Sequence, residues 1–155
     1  MALPKPVSGL VIRYSYLWQS EHARGQEEGV KDRPCAVILV AQAEAGDDIV
    51  TVLPITHTPP SNPPLALEIP LQTKKRLGLD SERSWVVLTE ANRFIWPGPD
   101  LRPVGSDLET IAYGKLPESF FNQVRDRFVA ILKAGQAKLS DAQNSMWMVA
   151  GHCSE

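Results

Sequence analysis

The sequence predicts a mainly β protein: a small, strongly bent, barrel-like sheet with one long C-terminal helix packed on it. Short apolar runs separated by turn residues fill the first two thirds of the chain, and one long apolar stripe at helical spacing follows them. Of the 155 residues, 43% are hydrophobic and 22% are charged, as in an ordinary globular protein. We therefore expect a single domain over residues 1–155, with a core from about 8 to 135 and a tail from 136 to 155.

The first predicted strand runs from Leu10 to Leu17, where large apolar side chains alternate with other residues at a period of two, as in a half-buried strand. The pattern ends at a polar, glycine-containing segment from Trp18 to Val30, which predicts a loop. A solvated loop is one interpretation. An aromatic ring interleaved with cations also suits base stacking and phosphate contact, and on this interpretation the candidate residues are Trp18, Arg24 and Lys31.

A hairpin of buried strands is predicted in the middle of the chain. Two apolar runs, Cys35 to Ala41 and Ile49 to Ile55, are joined by a turn rich in glycine and aspartate. If the strands pair in antiparallel fashion, Arg33 before the first strand lies beside Thr56 and His57 at the end of the second. A guanidinium, a hydroxyl and an imidazole would then share one rim of the sheet.

These three groups suit phosphodiester chemistry. Arginine offers a planar fork of donors that fits a phosphate, histidine titrates near neutral pH, and threonine supplies a short hydroxyl contact. A purely structural interpretation also stands. Arg33-Pro34 can simply lead into a strand, and residues 56–60 can simply end one, because Pro59 and Pro60 prevent its continuation.

A third long strand is predicted from Ser84 to Ile95. Alternation places Ala91 and Arg93 on one face of this strand and Glu90 and Asn92 on the other. Glu90 interrupts an apolar series, so this residue either lies beyond the core or is a functional carboxylate.

Helical patterns occur twice. Leu71 to Leu77 predicts a single helical turn ending at Gly78, and its cations, residues 74–76, fit a solvated face or an outlying phosphate contact. Pro117 begins a long helix that ends near Gly135. The apolar stripe that should lie across the sheet consists of Phe120, Phe121, Val124, Phe128, Ile131 and Leu132.

The net charge, the hydropathy pattern and the number of cysteines argue against several classes of function. The net charge of -2 gives no bulk attraction to nucleic acid, so RNA or DNA binding would need a local arrangement of arginine and lysine. No apolar stretch approaches membrane-spanning length and no leader pattern is visible, so we expect a cytoplasmic protein that does not bind a membrane. Two cysteines are too few for a disulfide framework or a four-thiolate zinc site, and we expect neither a metal nor a cofactor.

Four segments, in order, resemble the MazF/PemK family of toxin endoribonucleases. Each corresponds to a family motif: an opening Gly-containing strand, an Arg-Pro strand, a strand ending in Pro-Ile-Thr, and a later strand with an acidic residue and an arginine. In this chain the matching segments are Ser8 to Ile12, Asp32 to Ile38, Leu53 to Thr56 and Trp85 to Arg93. The resemblance extends from about Ser8 to Leu132.

The resemblance implies an SH3-like barrel that works as a homodimer. It also implies sequence-selective cleavage of single-stranded RNA without a metal: the ribose 2'-hydroxyl attacks its own phosphodiester and leaves a cyclic phosphate. The implied protein partner is a small antitoxin that blocks the RNA groove.

Residue roles follow from the same resemblance. Arg33 and Thr56 occupy the family's catalytic positions, and Glu90 falls where several members carry an acidic residue, which makes it a candidate base. His57 stands where the family commonly has serine, so it is a second candidate base. Further candidate RNA contacts are Pro34, Thr58, Asn92 and Arg93.

Two alternatives keep the fold without the chemistry. One is a relative of the gyrase-poisoning toxins, which act through a C-terminal region containing tryptophan; Trp147 fits this hypothesis. The other is an SH3-like module that binds proteins. For the nuclease, one geometric condition applies: Thr56 and His57 are neighbours, so both reach one substrate only if the strand breaks at Pro59 or earlier.

Overall fold

The computed structural model describes residues 4–18, 32–104 and 110–141. Within them the chain forms a mainly antiparallel eight-stranded sheet and two α-helices. The strands are β1 (Leu10–Ser15), β2 (Asp32–Gln42), β3 (Asp48–Thr56), β4 (Ala66–Glu68), β5 (Trp85–Val87), β6 (Glu90–Ile95), β7 (Ala112–Lys115) and β8 (Lys138–Asp141). The helices are α1 (Leu71–Leu77) and α2 (Glu118–Lys133), and a short 3-10 helix covers Pro63–Leu65.

The predicted central hairpin is confirmed. Strands β2 and β3 pair in antiparallel fashion, with Cys35 opposite Pro54 and Ala41 opposite Ile49. The sheet order is β4-β5-β3-β2-β1-β7, and β6 pairs with β3 and with β8, the latter in parallel. The described strands do not close into a barrel, because β4 and β7 end the main path of the sheet without pairing with each other.

The predicted third strand is in fact two strands. On β3, Ile55 pairs with Val86, whereas Val52 pairs with Asn92, where a continuous antiparallel strand would place Thr89. The chain therefore bends after β5, and β3 pairs with both halves along one edge. The pairing with β3 is therefore shifted by three residues, from Thr89 to Asn92, and a shift by an odd number of residues exchanges the two faces of a strand. Ala91 accordingly packs in the same core cluster as Val86, contrary to simple alternation over the whole segment.

Helix α2 covers one core cluster. Its spacing brings four apolar side chains to the sheet, where they pack with residues such as Val11 and Leu53: Phe120, Val124, Phe128 and Ile131. Leu132, which was assigned to the same stripe, is 37% exposed because it lies at the edge of the apolar face. The helical turn predicted from Leu71 to Leu77 is present as α1. The predicted long helix is present as α2, but it does not end the fold, because β8 follows it.

The other core cluster is built from strands and from Ile111, just before β7. Tyr14 stacks on Phe94 with ring centroids 4.8 Å apart. Strand β1 contributes to both clusters, so it is buried on two faces rather than half-buried as its alternation suggested.

The predicted tail contains a strand of the sheet, since β8 pairs with β6 from residue 138 onwards. Trp147 lies outside the described residues. Neither α-helix in the described parts of the chain has the length and apolar character needed to cross a membrane.

Candidate functional site

A groove of about 480 Å³ lies where residues of β2, β3, β5 and β6 come together beside Trp18, which follows β1. It brings together three of the residues assigned to catalysis, Arg33, Thr56 and Glu90, and the predicted stacking residue Trp18. The opposite wall is the proline-rich loop that follows β3, residues 58–62. We call this feature the Trp18 groove.

Arg33 is fixed by contacts on two sides. Its guanidinium carbon lies 4.7 Å from the centroid of the Trp18 ring, and Nη1 points to the Ile55 carbonyl oxygen at 3.5 Å. Nε is buried and has no hydrogen-bond partner among the described residues. Leaving a buried donor unpaired costs about 1–3 kcal/mol, and such groups in native proteins often belong to strained or functional sites. The guanidinium is thus held against the indole ring while its outer donors face the groove.

Strand pairing explains why Arg33 meets Thr56. Continuing the β2–β3 register two residues beyond Cys35 and Pro54 places Arg33 opposite Thr56. The Thr56 hydroxyl oxygen accepts a hydrogen bond from the Thr58 backbone N–H at 3.1 Å. Its own O–H remains available to donate to a ligand in the groove.

Glu90 enters the groove because it follows the bend between β5 and β6. Its Oε1 accepts a hydrogen bond from the Tyr16 hydroxyl at 3.2 Å. Burial raises the pKa of Tyr16 well above its usual value of 10, and the nearby Glu90 carboxylate raises this pKa further. Tyr16 therefore stays protonated at neutral pH and donates to Glu90. This role of Tyr16 was not predicted, because the tyrosine lies within an ordinary alternating pattern of the first strand.

Asn92 fixes the position of Trp18. Its side-chain oxygen accepts from the Leu17 backbone N–H at 2.8 Å, and its amide nitrogen donates to the Leu17 carbonyl at 2.8 Å. Asn92 is fully buried, so its side chain presents no surface to RNA. The residue that was expected to contact RNA instead holds the end of β1 against β6, which sets Trp18 over Arg33.

Replacing Asn92 with alanine should destabilise the protein, because it leaves the buried backbone N–H and C=O of Leu17 without hydrogen-bond partners. Each unpaired group costs about 1–3 kcal/mol. Urea denaturation would measure the loss in free energy of unfolding. The control is Asn62→Ala: Asn62 is exposed and its side chain makes no capping hydrogen bond. An Asn92→Ala variant as stable as this control would contradict the assignment.

His57 does not join the Trp18 groove. Strand β3 runs to Thr56, so side-chain alternation turns His57 to the other side. There it lines a separate cleft of about 300 Å³ with Lys74, Asp80 and Tyr113. We call this the His57 cleft; Arg33 and Pro34 also line it, so Arg33 borders both features.

Lys74 holds the His57 cleft together. The cluster of cations at residues 74–76 predicted a solvated face or a phosphate contact, but the Lys74 side chain is only 2% exposed. Its ammonium donates to Asp80 Oδ1 at 2.5 Å, to the Ser84 hydroxyl at 2.8 Å and to the carbonyl of Glu82. One signal was present in the sequence: Lys74 lies three residues before Leu77 in α1, and that spacing puts both on the buried face.

Asp80 connects Lys74 to His57. Burial alone would raise the pKa of Asp80, but hydrogen bonds and charge attraction from Lys74 and His57 outweigh it, and the pKa is lowered. His57 Nε2 lies 2.7 Å from Asp80 Oδ2. Because an ionised carboxylate can only accept, this nitrogen carries the proton and donates.

The remaining predicted RNA contacts are dispersed. Thr58 lines the Trp18 groove and Pro34 lines the His57 cleft. Arg93 is paired with Asp141 of β8 through two hydrogen bonds of 2.9 and 3.4 Å, which occupy much of its guanidinium. Arg24 and Lys31 lie outside the described residues.

One group of side chains has the donor types of a metal site. His57, Asp80 and Glu82 each place a ligand atom within 4.8 Å of the others, and all three are exposed. Both Asp80 oxygens already interact, one with Lys74 and one with His57. A divalent cation would have to displace these contacts, so the group fits a hydrogen-bonded network better than a metal centre.

The Trp18 groove can therefore stack an aromatic ring, contact an anion through Arg33, donate a hydrogen bond from Thr56 and accept a proton at Glu90. Comparisons of the chain with protein-family models, with curated proteins and with solved structures found no match.

Proposed function

We propose that this chain is a sequence-selective endoribonuclease that cleaves single-stranded RNA without a metal, by attack of a ribose 2'-hydroxyl on the adjacent phosphodiester. The observation that carries the proposal is the Arg33 guanidinium stacked on Trp18 in the same groove as Thr56 and Glu90. The resemblance of the Arg33-Pro34 and Pro54-Ile55-Thr56 segments to the MazF/PemK family points in the same direction.

Substrate binding requires both an anion contact and a base contact. Arg33 supplies a planar fork of donors for the phosphate, and the partly exposed Trp18 ring, which lines the same groove, supplies an aromatic surface for a base. Unpaired bases of single-stranded RNA can be splayed onto such a platform, whereas duplex bases cannot. The groove thus favours single strands.

The chemical step needs a base, charge stabilisation and protonation of the leaving oxygen. Glu90 takes the proton of the 2'-hydroxyl, whose oxygen bonds to phosphorus while the bond to the 5'-oxygen breaks. Arg33 and the Thr56 hydroxyl stabilise the charge that grows on the non-bridging oxygens. The departing 5'-oxygen takes a proton from water, and the products carry a 2',3'-cyclic phosphate and a 5'-hydroxyl.

The cellular role follows from the family resemblance alone. We propose an SH3-like, barrel-type toxin that acts in the cytoplasm as a homodimer and is neutralised by a small antitoxin protein. A segment of that antitoxin would compete with RNA for the Trp18 groove. This part of the proposal predicts that a short acidic reading frame adjoins the one that encodes this chain.

The direct test is incubation of the purified chain with a long single-stranded RNA in EDTA, followed by mapping of the new ends. We expect discrete cuts within a short recurring sequence and cyclic-phosphate ends, and no cuts when the same RNA is annealed to its complement. Absence of cleavage would refute the proposal. Absence of cleavage combined with a growth effect that requires Trp147 would favour a gyrase-poisoning toxin, and inertness in both assays would favour a protein-binding module.

A further inference from the structure

The His57 cleft plays no part in the chemistry proposed above, but a chain of hydrogen bonds that starts at a buried lysine fixes its polar side chains. The buried Lys74 ammonium, with three hydrogen-bond partners, fixes the Asp80 carboxylate, and Asp80 in turn fixes the His57 ring. A buried lysine is rare and costly unless fully paired. A surface cleft whose polar groups are anchored from the core in this way has a preorganised hydrogen-bonding wall.

Away from Arg33, the charges of the His57 cleft disfavour a phosphate. Asp32 and Asp80 both line it, and the Lys74 charge is already matched by Asp80. Asp32 lies 3.7 Å from Arg13 and 3.6 Å from Arg102. A phosphate in this cleft would face two carboxylates.

An uncharged planar group suits the cleft better. Pro34, Ile55 and Leu79 form apolar walls, and the half-buried Tyr113 ring lies beside them. Ligand sites of this kind combine apolar and aromatic walls with a few convergent polar groups. A nucleobase has apolar faces and a polar edge, and proteins recognise single-stranded bases by stacking on aromatic rings and by hydrogen bonds to that edge.

The position of Arg33 connects the His57 cleft with the Trp18 groove. Arg33 borders both the Trp18 groove and the His57 cleft. A phosphate held by Arg33 would therefore carry one neighbouring nucleotide towards Trp18 and the other towards His57.

We infer that the His57 cleft is a base-recognition subsite that selects, next to the phosphate at Arg33, a base with an exocyclic amino group. This inference rests on the proposed function. Carboxylates are acceptors only, and aspartate or glutamate accepts from the amino group of cytosine. Asp80 Oδ2 accepts one hydrogen bond, from His57, and its second lone pair can accept from a base, whereas a cation would have to displace His57 or Lys74. Uracil presents a carbonyl oxygen at that position, which would face the Asp80 oxygen without a donor between them.

Titration of the full-length protein with CMP and with UMP tests the inference, because the two nucleotides share their sugar and phosphate. We expect CMP to bind roughly tenfold more tightly than UMP, the discrimination that one good side-chain contact to a base edge provides. NMR signals of His57 and Tyr113 should shift on CMP addition. The preference should disappear in Asp80→Asn, whose amide can donate to uracil, and should persist in the matched control Glu44→Gln, since Glu44 is exposed and lines neither feature.

Equal affinity for the two nucleotides, or a CMP preference that survives Asp80→Asn, would overturn the inference. If Asp80→Asn does not fold, the wild-type titration decides: CMP binding without shifts at His57 and Tyr113 also refutes it. The binding assay requires no catalysis, so it separates this inference from the nuclease. A protein that cuts RNA but binds CMP and UMP equally lacks the subsite, whereas one that prefers CMP but never cuts RNA keeps the subsite and loses the nuclease.

Discussion

Replacing Arg33 with alanine is expected to lower the rate of RNA cleavage by roughly a hundredfold or more, the usual cost of removing one donor to the charge that develops in a transition state. The loss should be large because Arg33 is the one groove residue proposed both to bind the phosphate and to stabilise its charge. Single-turnover cleavage at saturating enzyme would isolate the chemical step from binding.

The chain offers a matched control for this experiment. Arg83 also lies over an indole ring, 5.0 Å from the Trp85 centroid, and it pairs with Glu68, but it is exposed and lies outside the Trp18 groove. Arg83→Ala should therefore cut RNA at the wild-type rate. Equal rates for Arg33→Ala and the wild type, or equally slow rates for the two arginine variants, would remove Arg33 from the proposed mechanism.

The largest effect on stability is expected for Phe94→Ala. Phe94 is 1% exposed and stacks between Tyr14 at 4.8 Å and Trp96 at 6.1 Å in the core cluster formed by the strands. Truncation of a buried phenylalanine removes apolar burial and leaves a cavity, at a cost of about 3–5 kcal/mol. Urea denaturation followed by far-UV circular dichroism would measure the loss in free energy of unfolding.

Leu71→Ala provides the comparison for Phe94→Ala. Leu71 is also a large apolar side chain, but it is 55% exposed at the start of α1. Its truncation should change the free energy of unfolding by less than about 1 kcal/mol. If Phe94→Ala is no more destabilising than Leu71→Ala, Phe94 does not occupy the packed position described here.

Features set by local chemistry were predictable from the sequence. The β2–β3 hairpin follows from two apolar runs and a turn, and α1 ends where Gly78 adopts a left-handed conformation with φ of 72°. Helix α2 begins directly after Pro117, whose missing N–H is tolerated there. In each case the residues that decide the element lie within or next to it.

Features set by distant partners were not predictable. The division between β5 and β6 arises because one edge of β3 accepts both strands, and nothing between Ser84 and Ile95 reveals that choice. The spacing within α1 indicates that Lys74 is buried, but it does not reveal the acceptors, which lie outside the helix, six to ten residues further along the chain. The same limit applies to the site: Arg33 and Thr56 could be placed together from strand pairing, whereas the position of Trp18 depends on Asn92, which lies 75 residues beyond Leu17.

Thr56 and His57 are joined by a single peptide bond but face two different recesses. A reporter group attached at position 57 would therefore sense a molecule in the His57 cleft, and one attached at position 56 would sense a molecule in the Trp18 groove. The imidazole itself is such a reporter, because its ring protons are visible by NMR. Occupancy of the two features can thus be followed separately, although the two positions are neighbours in the chain.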